Sequence, residues 1–214
     1  MAPPASNTRE KLLMAAMELF TTRGYEATSI ADILERSGVN SGSLYYFFDS
    51  KQDLLLAGLD YFKTLLYPIV MQPNFEAESD PIERIFAVLA WYRRNLVLCN
   101  LDYECPMGKL ALEVGRHLEA AREKIAINFA AWREHIRQCL DDAGNRLPRD
   151  LDRATLATFV MTVMEGALMQ ARTHRDLSFY DQSVQHLRSY FSQLQAQAAA
   201  QIRRLPRRKR TNTT

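Results

Sequence analysis

The decisive stretch runs from Ile30 to Lys51 and reads IADILERSGVNSGSLYYFFDSK. Ile30, Ile33 and Leu34 share one face of a short helix, and Gly38 ends it. A second short helix starts near Asn40 and carries Ser41, Ser43, Tyr45 and Tyr46. Two short helices split by a tight turn, the second rich in hydroxyls and aromatics, form the pattern of a helix-turn-helix.

Such a motif reads DNA by setting the N-terminal part of its second helix against base edges in the major groove. Asn40 opens that helix, and the small residues Ser41, Gly42 and Ser43 permit close approach. Their hydroxyls suit bases or phosphates, and Tyr45 and Tyr46 suit sugar stacking or phosphate oxygens. Lys51 offers a charge to a phosphate. Thr28, or alternatively Ser29, caps the first helix and places its N-terminus where a phosphate can sit. A plain helical hairpin with a polar face meets the same pattern.

Outward from the motif, every strong period is helical. Residues 1–7 (MAPPASN) are expected to be disordered. A helix over Thr8–Arg23 buries Leu12, Leu13, Ala16, Leu19 and Phe20, and Gly24 stops it. A longer helix over Ser50–Val70 buries Leu54, Leu55, Leu59, Phe62 and Leu66, with Pro68 expected to kink or shorten its last turn. Residues 71–79 read as a linker. Asp80-Pro81 then gives a cap and a first-turn proline for a helix to about Cys99. Asn100–Glu104 form a turn. Further helices follow at about 107–118, 120–142, 151–173 and 179–202. The expectation is an all-α chain of roughly nine helices in three parts: a three-helix DNA-binding domain over 1–52, a helical ligand-binding and dimerisation domain over 53–202, and a basic disordered tail over 203–214.

Composition narrows the class. Hydrophobic residues make up 47% of the 214, enough for a packed core. The net charge of +2 conceals an asymmetry, because Arg203, Arg204, Arg207, Arg208, Lys209 and Arg210 crowd the end of the chain. That tail reads as a solubilising end or as a nonspecific DNA contact. Through Lys51 there are five Lys and Arg against six Asp and Glu. Bulk charge therefore does not carry DNA binding by one copy of the motif. Cys99, Cys105 and Cys139 lack the spacing of a disulfide framework or zinc site, and a reducing cytoplasm fits them. Neither a run of about 18 apolar residues nor a secretory signal is evident, so no membrane partner is expected. No metal or other cofactor is expected, and His117, His135, His174 and His186 read as surface or interface residues.

The stretch TRGYEATSIADILERSGVNSGSLYYFFDSKQDLL resembles the TetR family of bacterial repressors. The resemblance rests on Gly24-Tyr25, Thr28-Ser29-Ile30, Ile33, Gly38-Val39, Gly42 to Tyr46, Phe48, Lys51 and Leu54-Leu55, about a quarter of the chain. It implies base or phosphate contacts at Thr28, Ser41, Ser43, Tyr45, Tyr46 and Lys51. Phe47 departs from the pattern, where the family often carries histidine. The resemblance further implies a helical ligand domain, dimerisation through the last two helices and a palindromic operator.

In the second domain, Glu104 to Val114 (ECPMGKLALEV) resembles a Gly-Cys-x-x-Gly-Asn-Leu-Ala-x-Glu segment of one TetR-like branch that includes regulators responding to xenobiotics and reactive small molecules. Glu104 stands in place of glycine and Lys109 in place of asparagine. Cys105 opens a helix, which suits either a buried anchor of the turn or a reactive thiolate assisted by Lys109. Cys99 and Cys139 read as core. Candidate pocket residues are Trp91, Cys105, Met107, Leu110, Val114, Trp132, Phe159 and Glu165, the last able to orient a polar or cationic ligand or to bond another helix. Tyr92, Phe129, Met161, Val163 and Met164 are equally apolar, and simple core packing accounts for any one of them. Candidate dimer residues are Val160, Ala167, Leu187, Tyr190, Phe191 and Leu194.

Together these readings describe a homodimeric, ligand-responsive repressor that leaves its operator when a small molecule binds. An activator or autoregulator of the same fold is the first alternative, and a helical carrier or enzyme the second. Against the latter, no nucleophile–base pair, paired carboxylates or metal cluster has credible spacing.

Overall fold

In the computed structural model, residues 5–204 are described, and the arginines and lysine of the tail at 207–210 lie outside them. Ten α-helices account for the architecture among the described residues: α1 (Ala5–Thr22), α2 (Ile30–Ser37), α3 (Ser41–Phe47), α4 (Lys51–Leu66), α5 (Gln72–Glu76), α6 (Pro81–Leu98), α7 (Pro106–Val114), α8 (Glu119–Asp142), α9 (Arg153–His174) and α10 (Ser178–Arg204). Residues 5–7, expected to be disordered, belong to α1, and Arg203 and Arg204 close α10.

Local chemistry sets the boundaries. Ser29, rather than Thr28, caps α2: its Oγ accepts from Asp32 N–H while Asp32 accepts from the Ser29 backbone, a complete capping box. Gly38 ends α2 at φ 66°, a left-handed conformation that costs glycine nothing. Asn40 Oδ1 accepts from Ser43 N–H at 2.8 Å to start α3. Ser50, Asp80 and Asp152 cap α4, α6 and α9 in the same way.

The linker expected at 71–79 is largely helical. A π-turn over Tyr67–Met71 joins α4 to α5, making one 26-residue helical run from Lys51 to Glu76. Pro68 has no N–H to give, so the ladder slips to wider bonds instead of ending. That run and α9 are each long and apolar enough to cross a membrane by length and composition. Each is packed among other helices, α4 against α1 and α8, and α9 against α6, α8 and α10.

One continuous core joins both halves. Leu12, Leu13, Met17 and Phe20 of α1 meet Ile33, Leu44, Leu54, Leu55 and Leu59. Ile85, Leu89, Trp132, Met164 and Phe191 continue it through the larger domain. Cys139 is buried as expected, and burial pushes its thiol up to about 11. Cys99, expected in the core, is exposed where α6 ends.

Candidate nucleic-acid interface and effector cavity

Leu44 anchors α3 with no exposed surface, while Ser41 and Gly42 face solvent and Ser43 is half-buried. Tyr45 and Tyr46 are 56% and 80% exposed. Phe47, in place of the family's frequent histidine, packs edge-on against Tyr46 with ring centroids 4.9 Å apart. Asn40, Ser41, Gly42, Tyr45 and Tyr46 thus form one outward surface over a buried leucine.

Two expected contacts have other employment. Thr28 is buried, and its hydroxyl donates to Gly24 O at 2.7 Å, so its side chain fixes the loop rather than facing a ligand. Lys51 Nζ donates to Tyr25 O at 3.0 Å and Thr28 O at 3.1 Å and lies 4.2 Å from the Tyr25 ring centre. Lys51 therefore stitches the start of α4 to the loop that presents Ser29. Ser29 itself is exposed at the start of α2.

The larger domain holds an apolar cavity of about 260 Å³. Phe62, Leu65 and Leu66 of α4, Trp91 and Tyr92 of α6, Tyr103, Cys105 and Met107 around the start of α7, and Asn128, Phe129 and Trp132 of α8 line it, with Met14 reaching in from α1. Of the candidate pocket residues, Trp91, Cys105, Met107 and Trp132 line this one cavity. Leu110 and Val114 are instead spent in the core, and Phe159 lies 46% exposed on the outer side of α9. Met14 and the α4 residues went unforeseen as pocket walls, because their own helices give them ordinary core or surface periods, and Tyr103 because it lies in the turn between α6 and α7.

Glu165 lines a second, more polar groove of about 660 Å³, which shares Cys105 and Phe129 with the first. Its Oε1 is buried without a hydrogen-bond partner. Burial raises the Glu165 carboxyl above the usual range, the Cys105 thiol beside it pulling the other way. A raised carboxyl favours the protonated folded state, so stability is lost as pH rises through the folded pKa. Glu165→Gln is expected to raise the melting temperature at pH 8 and to do so less at pH 5; thermal melts at the two pH values measure it, and an equal or reversed gain would contradict it.

Cys105 is buried, and burial followed by the Glu165 charge holds its thiol well above the ordinary range. The environment favours the anchor over the reactive thiolate. Lys109 has other partners as well: its Nζ lies 3.0 Å from Glu104 Oε1 and donates to Thr22 O at 3.0 Å. The two departures from the branch pattern, Glu104 and Lys109, are thus paired with each other, and Arg172 of α9 joins Glu104 at 2.8 Å.

One turn further along α7, Glu113 Oε1 accepts from Glu26 N–H at 2.9 Å. Gly24, at φ 105°, leaves the room: a Cβ there would lie 2.9 Å from the same oxygen. Helix α7 therefore lines the cavity at its start and holds the α1–α2 loop of the DNA-binding domain along its length. Sequence reasoning missed this role: it set Lys109 beside the Cys105 thiol, and Glu113 looks like an ordinary solvated charge.

The expected dimer residues divide. Val160, Phe191 and Leu194 are buried within the protomer, Phe191 against Phe86 at 5.4 Å. Ala167 and Leu187 floor a shallow outer groove on α9 and α10 whose rim is Phe159, Val163, Gly166 and Tyr190. Phe159 and Tyr190 meet edge-on across it at 6.0 Å.

Residues 12–57 match the profile of bacterial regulatory proteins of the tetR family, and residues 81–186 match the C-terminal domain of LmrA/YxaF-like transcriptional regulators. The HTH-type transcriptional regulator LmrA of Bacillus subtilis is 30% identical over 79% of this chain and 89% of its own. An uncharacterized HTH-type regulator from the lacX 3' region of Lactococcus lactis is 25% identical over 88% and 95%. Among solved structures, a TetR transcriptional regulator from Chloroflexus aurantiacus superposes with a TM-score of 0.73 at 27% identity, covering 88% of this chain and 96% of that one. The chain belongs to the TetR family and is a helix-turn-helix transcriptional regulator, not an enzyme.

Proposed function

We propose that the protein is a repressor that binds a palindromic operator as a homodimer and leaves it when a small molecule enters the α4–α6–α8 cavity. The observation that carries this reading is α7. It contributes Pro106 and Met107 to the cavity wall and holds Thr22 O and Glu26 N–H of the DNA-binding domain through Lys109 and Glu113. A ligand that displaces the start of α7 thereby tilts the α1–α2 loop and α3 with it. Allostery of this kind needs only a modest difference in ligand affinity between two arrangements. The groove rimmed by Phe159, Gly166 and Tyr190 supplies the dimer contact, with Gly166 permitting close helix approach.

Substituting Lys109→Ala and Glu113→Ala together tests the linkage. Freed of these ties, the two α3 helices of a dimer lose their fixed separation, and operator affinity is expected to fall about tenfold, from about 1–3 kcal/mol of coupling. Fluorescence anisotropy on a duplex selected by the wild-type protein measures it, with circular dichroism confirming the fold. Unchanged affinity would sink the linkage, and in vitro transcription that rises on adding the protein would favour activation instead.

A further inference from the structure

We infer that Arg172 of α9 sets which half-site spacing the dimer accepts, acting through Glu104 and Lys109 as a chain of charges from the dimerisation helix to the DNA-binding domain; this rests on the homodimeric operator reading above. The chain starts at a helix end. Thr22 closes α1, and its carbonyl has no intrahelical donor left to meet. Lys109 Nζ donates to that carbonyl at 3.0 Å and brings a positive charge to the negative end of the α1 dipole.

The same ammonium lies 3.0 Å from Glu104 Oε1, and the other oxygen of that carboxylate accepts from Arg172 at 2.8 Å. Glu104 therefore stands between two cations, one bound to the end of α1 and one carried by α9. Lys109 and Glu104 are only 20% and 25% exposed, so water and salt screen their pair less than an ordinary surface pair. Helix α7 also sits close on α9 in its first turn, where a Cβ at Gly108 would lie 2.6 Å from Glu165 Oε2. The tie from α9 thus meets α7 at its start, and α7 passes it to α1 through Lys109 and to the α1–α2 loop through Glu113.

The consequence is geometric. A dimer engages two half-sites together only if its two α3 helices stand at the separation the operator offers. In the proposed dimer, α9 lies at the shared face through Phe159, Val163 and Gly166, so each DNA-binding domain is placed by what holds it to α9. Loss of the Arg172 link leaves Lys109 and Glu113 gripping the DNA-binding domain, but lets that whole body shift against the dimer core. Arg172 is then a positioning residue. Its removal broadens the spacings the dimer tolerates without changing how one α3 meets one half-site.

Competition binding by the full chain tests this with three duplexes: the site selected by the wild-type protein, the same site with one base pair inserted between its half-sites, and a single half-site. The insertion moves the half-sites about 3.4 Å apart, and each half-site keeps its phosphates, so counterion release cancels from the ratio of the two affinities. The wild type is expected to prefer the selected spacing by about tenfold or more, since misplaced half-sites cannot be engaged together. Arg172→Gln should shrink that preference by about threefold to tenfold, with one such chain in each protomer, and should leave single half-site affinity within about twofold. Arg172→Lys keeps a charge for the single contact with Glu104 and should retain the preference. So should Arg93→Gln, which breaks an ion pair of 2.6 Å between α6 and α10 that has no member on α1 or α7. If Arg172→Gln fails to fold, Glu104→Gln cuts the same link and should flatten the preference likewise. An unchanged preference in Arg172→Gln, equal flattening by Arg93→Gln, or a wild type that binds both spacings equally would overturn the inference while leaving operator binding untouched. A wild type that selects no two-fold site would count against the homodimeric reading and take the inference with it.

Discussion

Alanine at both Tyr45 and Tyr46 is expected to abolish operator binding at physiological salt while leaving the fold in place. The two side chains are more than half exposed on a helix whose anchor, Leu44, is fully buried. Removing them takes little from the core beyond the edge contact of Tyr46 with Phe47. On DNA the loss is larger. A hydrogen bond to a charged phosphate is worth about 1.5–3 kcal/mol. Two such residues in each of two protomers give several kcal/mol, on the order of a thousandfold or more in affinity. The region through Lys51 has more acid than base, so no surplus of charge stands ready to compensate. Anisotropy at fixed salt measures the affinity, and a melting temperature within a few degrees of wild type shows the fold. Retained tight binding would remove α3 from the interface.

The second large effect is structural. Gly58→Val is expected to destabilise the protein by about 3 kcal/mol, because overpacking a tight helix contact costs this much. A Cβ at Gly58 would lie 2.4 Å from Met17 Sδ and 2.6 Å from its Cγ, and Met17 has no exposed surface. This is where α1 and α4 approach, so the strain falls on the joint between the two domains. For a chain of this length the melting temperature should drop by about 6–12 °C. Met17→Ala in the same chain should restore part of the loss, since the two sites share one space. Additive losses in the double variant would show that the damage lies elsewhere.

Much of this was legible in the sequence, and the residues show why. Gly38, Asn40 and Asp80-Pro81 state their roles through backbone chemistry that depends on near neighbours alone, so helix existence and the helix-turn-helix followed directly. Pro68 reads as a kink or an early stop, yet the helical run continues through a π-turn, because packing of Val70 and Met71 in the core outweighs the lost hydrogen bond. Thr28 and Ser29 both have capping chemistry; the bond of Thr28 to Gly24 O decided between them, and that depends on a turn not readable from residue types. In α9 nearly every side is apolar, so the period cannot separate Val160, which packs inward, from Phe159, which faces out. The cavity joins side chains from five places in the chain, and the ties of Lys109 and Glu113 to α1 and its loop span 87 residues each. Tertiary closure alone creates such sites.

The most direct test of the central claim is selection of binding sites by the full-length protein from a pool of randomised duplex DNA. The expected product is an inverted repeat whose half-sites lie about one helical turn, or a multiple of it, apart. The Tyr45→Ala, Tyr46→Ala protein should enrich nothing from the same pool. No enrichment by the wild type, a site without two-fold symmetry, or the same site enriched by the double variant would contradict the account.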